Sequence, residues 1–139
     1  MKSARSPEGW ILRLDPGEEV PRDVISAAAA LGLNTASVTG IGALDRAVLA
    51  FYDLKERRYI ETLVEEPVEV VSFMGNLVRL DGAPFLHAHA VVSRRDATTL
   101  GGHLMSARVS VTLELLLRTL SVDATRKFSE ACGLKLLEL

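Results

Sequence analysis

The chain has almost no cysteine, no block of like charge and no long apolar run. Each absence removes a class of protein. Cys132 is the one cysteine among 139 residues. An internal disulfide framework is therefore excluded, and a reducing compartment is the default expectation. No apolar stretch approaches the ~20 residues that a membrane-spanning helix needs. Met1-Lys2-Ser3-Ala4-Arg5 leads into Pro7-Glu8-Gly9 rather than an apolar leader core, so a cytoplasmic location is expected. The formal net charge is −2. The densest basic clusters are only pairs, Arg57-Arg58, Arg94-Arg95 and Arg126-Lys127. Duplex binding draws most of its affinity from clustered Lys and Arg on phosphates, and these pairs read more simply as solvated turns and strand ends. No linker, repeat or low-complexity tract interrupts the chain.

What is present is an ordinary globular composition, 48% hydrophobic and 24% charged, of a length that supports one domain with its own core. Residues 1–8 read as a tail and 9–139 as the domain. Trp10–Leu14 reads as a strand, stopped by the turn residues Asp15-Pro16-Gly17. Pro21–Leu31 reads as a helix, because Val24, Ala27, Ala28 and Leu31 recur at i, i+3, i+4 and i+7 and Gly32 follows. From there the pattern is strand-like. Ala36–Thr39 runs into Gly40-Ile41-Gly42. Ala47–Tyr52 and Tyr59–Leu63 flank a polar turn. Val68–Leu80 leads to the hairpin dipeptide Asp81-Gly82, and Phe85–Ser93 follows. Gly75 marks a bulge or a close backbone approach. Val109–Leu120 fits either period, and its Val- and Thr-rich start favours a strand. Ala124–Ala131 suggests a short helical turn, and Leu134–Leu139 a closing strand. The expected class is α+β: a strongly twisted, barrel-like antiparallel sheet with one principal helix.

All three histidines, His87, His89 and His103, fall within one short stretch. On a strand, His87 and His89 project from the same face. His103 follows Gly101-Gly102, which permit a tight return of the chain. Three neutral imidazoles meeting at a point suit Zn²⁺, Ni²⁺ or Fe²⁺ and leave positions open for water or a ligand. The plainer reading is three unrelated strand histidines, each donating to a backbone carbonyl.

Other candidates carry less. Glu69 and Glu114 lie in apolar strands, where an Arg partner or a subunit interface explains a carboxylate as readily as a general base does. Cys132 has no histidine near it in sequence. Gly40-Ile41-Gly42 begins like a dinucleotide fingerprint, but Asp45 stands at the third glycine and no parallel βαβ unit surrounds it. A cupin-like centre would need a carboxylate soon after His-x-His, and residues 90–95 read Ala-Val-Val-Ser-Arg-Arg.

Several segments, in order, resemble the PPC (plants and prokaryotes conserved) domain. They are Gly40–Leu44, Phe51-Tyr52-Asp53, Val68–Asn76, Asp81–His89 and Gly101-Gly102-His103-Leu104. The resemblance covers residues 9–139, and its last two stretches are the most specific. It implies a homotrimer, and in the prokaryotic branch a metal ion held by the positions that here are His87, His89 and His103. Plant relatives add an Arg-Gly-Arg AT-hook, which is missing here. They also use a Gly-Arg-Phe-Glu-Ile-Leu segment for partner proteins. Glu66–Val71 stands in its place without the Gly and Arg. Self-association has a physical motive besides, since both faces of Val68–Met74 and Val109–Leu117 carry apolar side chains that one helix cannot cover.

Three functional readings follow, in order. The first is a trimeric module binding a divalent transition metal, zinc foremost, or a small ligand, with a regulatory role. The second is a metal-dependent enzyme whose three-His ion activates water. The third, by family label and against the charge balance, is a DNA-binding protein. No catalytic residue is assigned, and no membrane partner is expected.

Overall fold

The sequence alternates apolar and polar residues over most of its length, and the computed structural model, which describes residues 1–139, turns that alternation into one large sheet. The strands are β1 (Lys2–Ser6), β2 (Gly9–Leu14), β3 (Glu19–Val20), β4 (Ala36–Asp53), β5 (Arg58–Val64), β6 (Val68–Leu80), β7 (Ala83–Ser93), β8 (Thr99–Thr119), β9 (Thr125–Ser129) and β10 (Leu134–Glu138). The helix α1 spans Arg22–Ala30. β8 pairs with β4, β4 with β6, β6 with β7 and β7 again with β8, all antiparallel. These four strands make a partial ring within a twisted sheet. β5 extends β4 as a ribbon, and β1–β2 is added at the outer side of β8.

The core lies inside the ring, where alternate residues point inward. Leu12, Leu14, Val38, Leu44, Phe73, Leu77, Leu113, Leu115 and Leu117 are all almost fully buried there. α1 closes one side with Val24 and Ala28 buried, and Ile25, Ala27 and Leu31 pack beside them. Asp23 in the first turn accepts the Glu19 backbone N–H (2.7 Å) and suits the positive end of the helix. At the other end Gly32 takes φ 67° and the Leu33 N–H reaches back to the Ala28 carbonyl (2.9 Å). This is a glycine-based helix stop with a buried apolar residue just beyond it.

Three expectations are corrected, and one strand is new. Residues 1–8 do not form a tail: Lys2–Ser6 pairs with Gly9–Arg13, because an alternating strand edge was free to take them. The 124–131 segment is not a helical turn. Thr125–Ser129 forms a hairpin with Leu134–Glu138, the cross-strand partner outweighing local helix propensity. The short strand Glu19–Val20, pairing with Ala107 and Arg108, has no pattern long enough to announce it. Gly101-Gly102 is not the return. The chain turns at residues 94–98, where the Arg94 N–H meets the Thr98 carbonyl (2.9 Å), and Ala97 takes φ 65°. The two glycines lie inside β8, and a Cβ on Gly102 would sit 2.8 Å from the Ala50 carbonyl oxygen. Their purpose is close strand approach.

The other turns and strands agree with the sequence. Asp81 and Gly82 both take positive φ, 52° and 83°, as a two-residue hairpin turn requires. Val109–Thr119 is the second half of the 21-residue β8, which stops one residue short of the expected Leu120. Gly75 is a close approach: its Cβ would lie 2.4 Å from the His87 carbonyl oxygen.

Candidate metal centre

His87 and His89 stand two apart on β7 and so share a face. The β7–β8 register sets His89 directly opposite His103. The three rings converge, with centroid separations of 5.2 Å (His87–His89), 5.1 Å (His87–His103) and 5.4 Å (His89–His103). One nitrogen from each ring can be chosen so that all three lie within 4.8 Å of one another. A tetrahedral ion with Zn–N bonds of ~2.0–2.1 Å holds its nitrogens roughly 3.4 Å apart. The widest gap therefore has to close by roughly 1.4 Å, within the reach of small side-chain rotations.

The surroundings suit a metal. His103 Nδ1 is buried and has no hydrogen-bond partner. An orphaned buried nitrogen costs free energy unless something takes its lone pair or its proton. His87 titrates at about 4 rather than 6.5, first because burial penalises the imidazolium and then because Arg126 repels it. Burial, with His89 and then Arg126, lowers His103 in the same direction. Both rings are therefore neutral near pH 7, the protonation state a metal needs, although the His87 lone pair at Nδ1 faces Arg126. His89 is exposed and leaves one side of the cluster open.

Two of the three histidines, His87 and His103, lie on the wall of a cavity of about 350 Å³. Tyr59, from the β4–β5 ribbon, stacks on His103 with centroids 4.9 Å apart. The β9–β10 hairpin brings Arg126, Phe128, Leu134 and Leu136 to the far wall. Arg126 is held firmly. Its Nη1 donates to the Lys135 carbonyl (2.8 Å), and its Nη2 donates to Asn76 Oδ1 (2.9 Å) and to His87 Nδ1 (2.9 Å). Its guanidinium also lies over the Phe85 ring at 5.5 Å. The hairpin is fastened from the other side, where the Tyr52 hydroxyl donates to the Cys132 carbonyl (2.7 Å).

All three histidines proposed from sequence thus come together. Sequence reasoning missed Arg126, Asn76 and Tyr59. Arg126 read as half of a solvated basic pair. The alternation of Thr125-Arg126-Lys127-Phe128, which sets Arg126 and Phe128 on one face, was the signal available. Glu69 and Glu114 lie elsewhere, exposed and without an Arg partner. Glu114 borders an apolar groove with Ile11, Ile41, Val71, Met74 and Leu116. Cys132 is half-buried and its thiol faces only the Ser129 carbonyl, at 4.0 Å. No helix is long and apolar enough to cross a membrane.

Comparison with solved structures finds the same architecture in several proteins. A metal-containing protein from Archaeoglobus fulgidus is 32% identical and superposes with a TM-score of 0.85, over 93% of this chain and 91% of that one. A plant- and prokaryote-conserved (PPC) protein from Pyrococcus horikoshii is 27% identical with a TM-score of 0.88, over 99% and 94%. A protein from Bacteroides thetaiotaomicron with a provisional DNA-binding label is 24% identical with a TM-score of 0.94, over 99% and 96%, a likeness of fold. Among curated proteins none matches. The profile of the Plants and Prokaryotes Conserved (PCC) domain matches residues 1–121, which take in the ring, α1 and all three histidines. The chain belongs to the Plants and Prokaryotes Conserved domain family.

Proposed function

We propose that this protein is a metal-binding module in which His87, His89 and His103 hold one divalent transition ion, zinc foremost, with a coordination position left open towards the cavity for a small ligand. The observation that carries this is the meeting of three imidazoles around one point, with the buried His103 Nδ1 lacking any other partner. The 32%-identical A. fulgidus protein, described as metal-containing, supports it. The bound ion would act as a Lewis acid on whatever occupies the open position. The chain's own residues orient the rings and keep two of them neutral. No carboxylate lines the cavity as a general base, so the reading is binding and regulation rather than turnover.

The working unit is proposed to be a homotrimer. Ile41, Val71, Met74 and Leu116 form an outward apolar face and are each more than half exposed, Met74 at 62%. A contiguous patch of that kind on a free subunit favours association with further copies. Zinc titration of untagged protein tests the metal reading. One ion per chain is expected, with a rise in stability of about 2.7 kcal/mol at a hundredfold excess over Kd. For a chain of this size that is a Tm increase of roughly 10 °C. Uptake far below one equivalent, or unchanged uptake in His103→Ala, refutes it.

A further inference from the structure

The Arg126–His87 contact makes a demand on the metal-loaded state. A guanidinium only donates, so His87 Nδ1 must be the acceptor at 2.9 Å. If Nδ1 is the metal ligand, its lone pair is no longer available to Arg126. If Nε2 is the ligand, the neutral ring carries its proton on Nδ1, and a donor would face a donor. Either way, loading the metal and keeping the Arg126–His87 bond exclude one another.

Arg126 is not free to leave. Nη1 stays on the Lys135 carbonyl and Nη2 stays on Asn76 Oδ1. Loading therefore strands one Nη2–H close to the ion. Arg126 Nε is buried and has no acceptor even beforehand. Nε and Nη2 form one edge of the guanidinium, the edge a carboxylate grips with two parallel bonds. The cavity offers no acid of its own. Its charged residues are Arg126 and Lys135, and the remaining lining is Tyr59, Phe85, Phe128, Leu134 and Leu136 with the two histidines and Gly133. Glu61 is aligned with His103 across Ala50 but is exposed and outside the lining. A divalent ion would thus add positive charge to a pocket that is already positive.

We propose that this pocket takes a small carboxylate with an apolar or aromatic body. Its carboxylate accepts from Arg126 on one side and ligates the metal on the other, and its body lies against Phe85, Phe128 and Leu136. About 350 Å³ is a fitting size for such a molecule. Arg126 and the β9–β10 hairpin that carries it lie beyond the residues matched by the family profile. The assignment rests on the metal reading above and goes further by naming the ligand class and the residue that selects it.

Metal and carboxylate should therefore bind synergistically, each raising the other's affinity by the same factor. The test measures zinc affinity of the untagged protein by competition with a chromophoric chelator, with benzoate, with acetate, and with benzamide as the neutral isostere. Benzoate is expected to tighten zinc binding at least tenfold and acetate less, while benzamide has no effect. In Arg126→Gln the benzoate effect should vanish while zinc still binds. The wild-type comparison of benzoate with benzamide needs no variant, so a folding defect in Arg126→Gln cannot mask the answer. Zinc uptake that ignores benzoate, or an equal benzoate effect in Arg126→Gln, overturns the carboxylate proposal and leaves the metal reading standing. Absence of zinc uptake in every condition removes both.

Discussion

Gly75→Ala should loosen both the fold and the site, and the size of each effect can be worked from the geometry. Gly75 lies on β6 opposite Ala88 of β7. An added Cβ would stand 2.4 Å from the His87 carbonyl oxygen and 3.0 Å from Ala88 Cα. An ordinary contact needs about 1 Å more, and the obstructing atoms are strand backbone rather than a flexible side-chain tip. Overpacking of this kind costs about 1–3 kcal/mol. Replacing a strand glycine returns about 0.5–1 kcal/mol. A net loss of about 1 kcal/mol, at most about 2.5, is expected, read as a lower urea midpoint with an unchanged m-value. The strand that must shift carries His87 and His89, so zinc affinity should fall about 10–100-fold, as when the support of a metal ligand is disturbed. A Gly75→Ala protein with wild-type stability and wild-type zinc affinity would refute the claim that β6 presses directly on the histidine strand.

Acid should destabilise the metal-free protein through its histidines. The folded-state pKa of His87, about 4, lies below the ordinary 6.5, so the unfolded chain binds the proton first. The stability this contributes is complete above pH ~6.5 and is lost as pH falls towards ~4. His103 is shifted in the same direction. The stability difference between wild type and His87→Gln should shrink over that window, and a pH-independent difference would contradict it. Met74→Glu combined with Leu116→Glu should dissociate the proposed trimer, and light scattering should then report 15.1 kDa in place of roughly three times that mass. Wild-type protein already at the single-chain mass would dismiss the trimer. Duplex DNA at ~150 mM salt should not be bound tightly, because the net charge is −2 and the basic residues are dispersed. A mobility shift that survives that salt would favour the DNA-binding reading.

The parts of this fold legible in the sequence are those set by local pattern. The 3.6-residue spacing of Val24, Ala28 and Leu31, and Gly32 behind them, fixed α1 to within a residue at each end. Asp81-Gly82 announced its hairpin. His87 and His89 share a face through strand pleat alone. Their partnership with His103 is a matter of register, and the register depends on where the chain turns. That turn lies at residues 94–98, with the glycine pair serving strand contact instead. The three rings meet all the same, although the hinge was misplaced. The C-terminal hairpin was illegible because its order comes from partners far away in sequence: Asn76 and His87 for Arg126, and Tyr52 for the Cys132 carbonyl. Arg126 could be recognised as part of the site only once β9 was laid beside β6.

The central claim is that three imidazoles hold one ion. Crystals of the untagged protein grown with zinc, measured on both sides of the zinc absorption edge, test it most directly. The account predicts one anomalous peak per chain, within bonding distance of His87, His89 and His103 together. A peak at any other place, or none among these rings at full zinc occupancy of the medium, would contradict it.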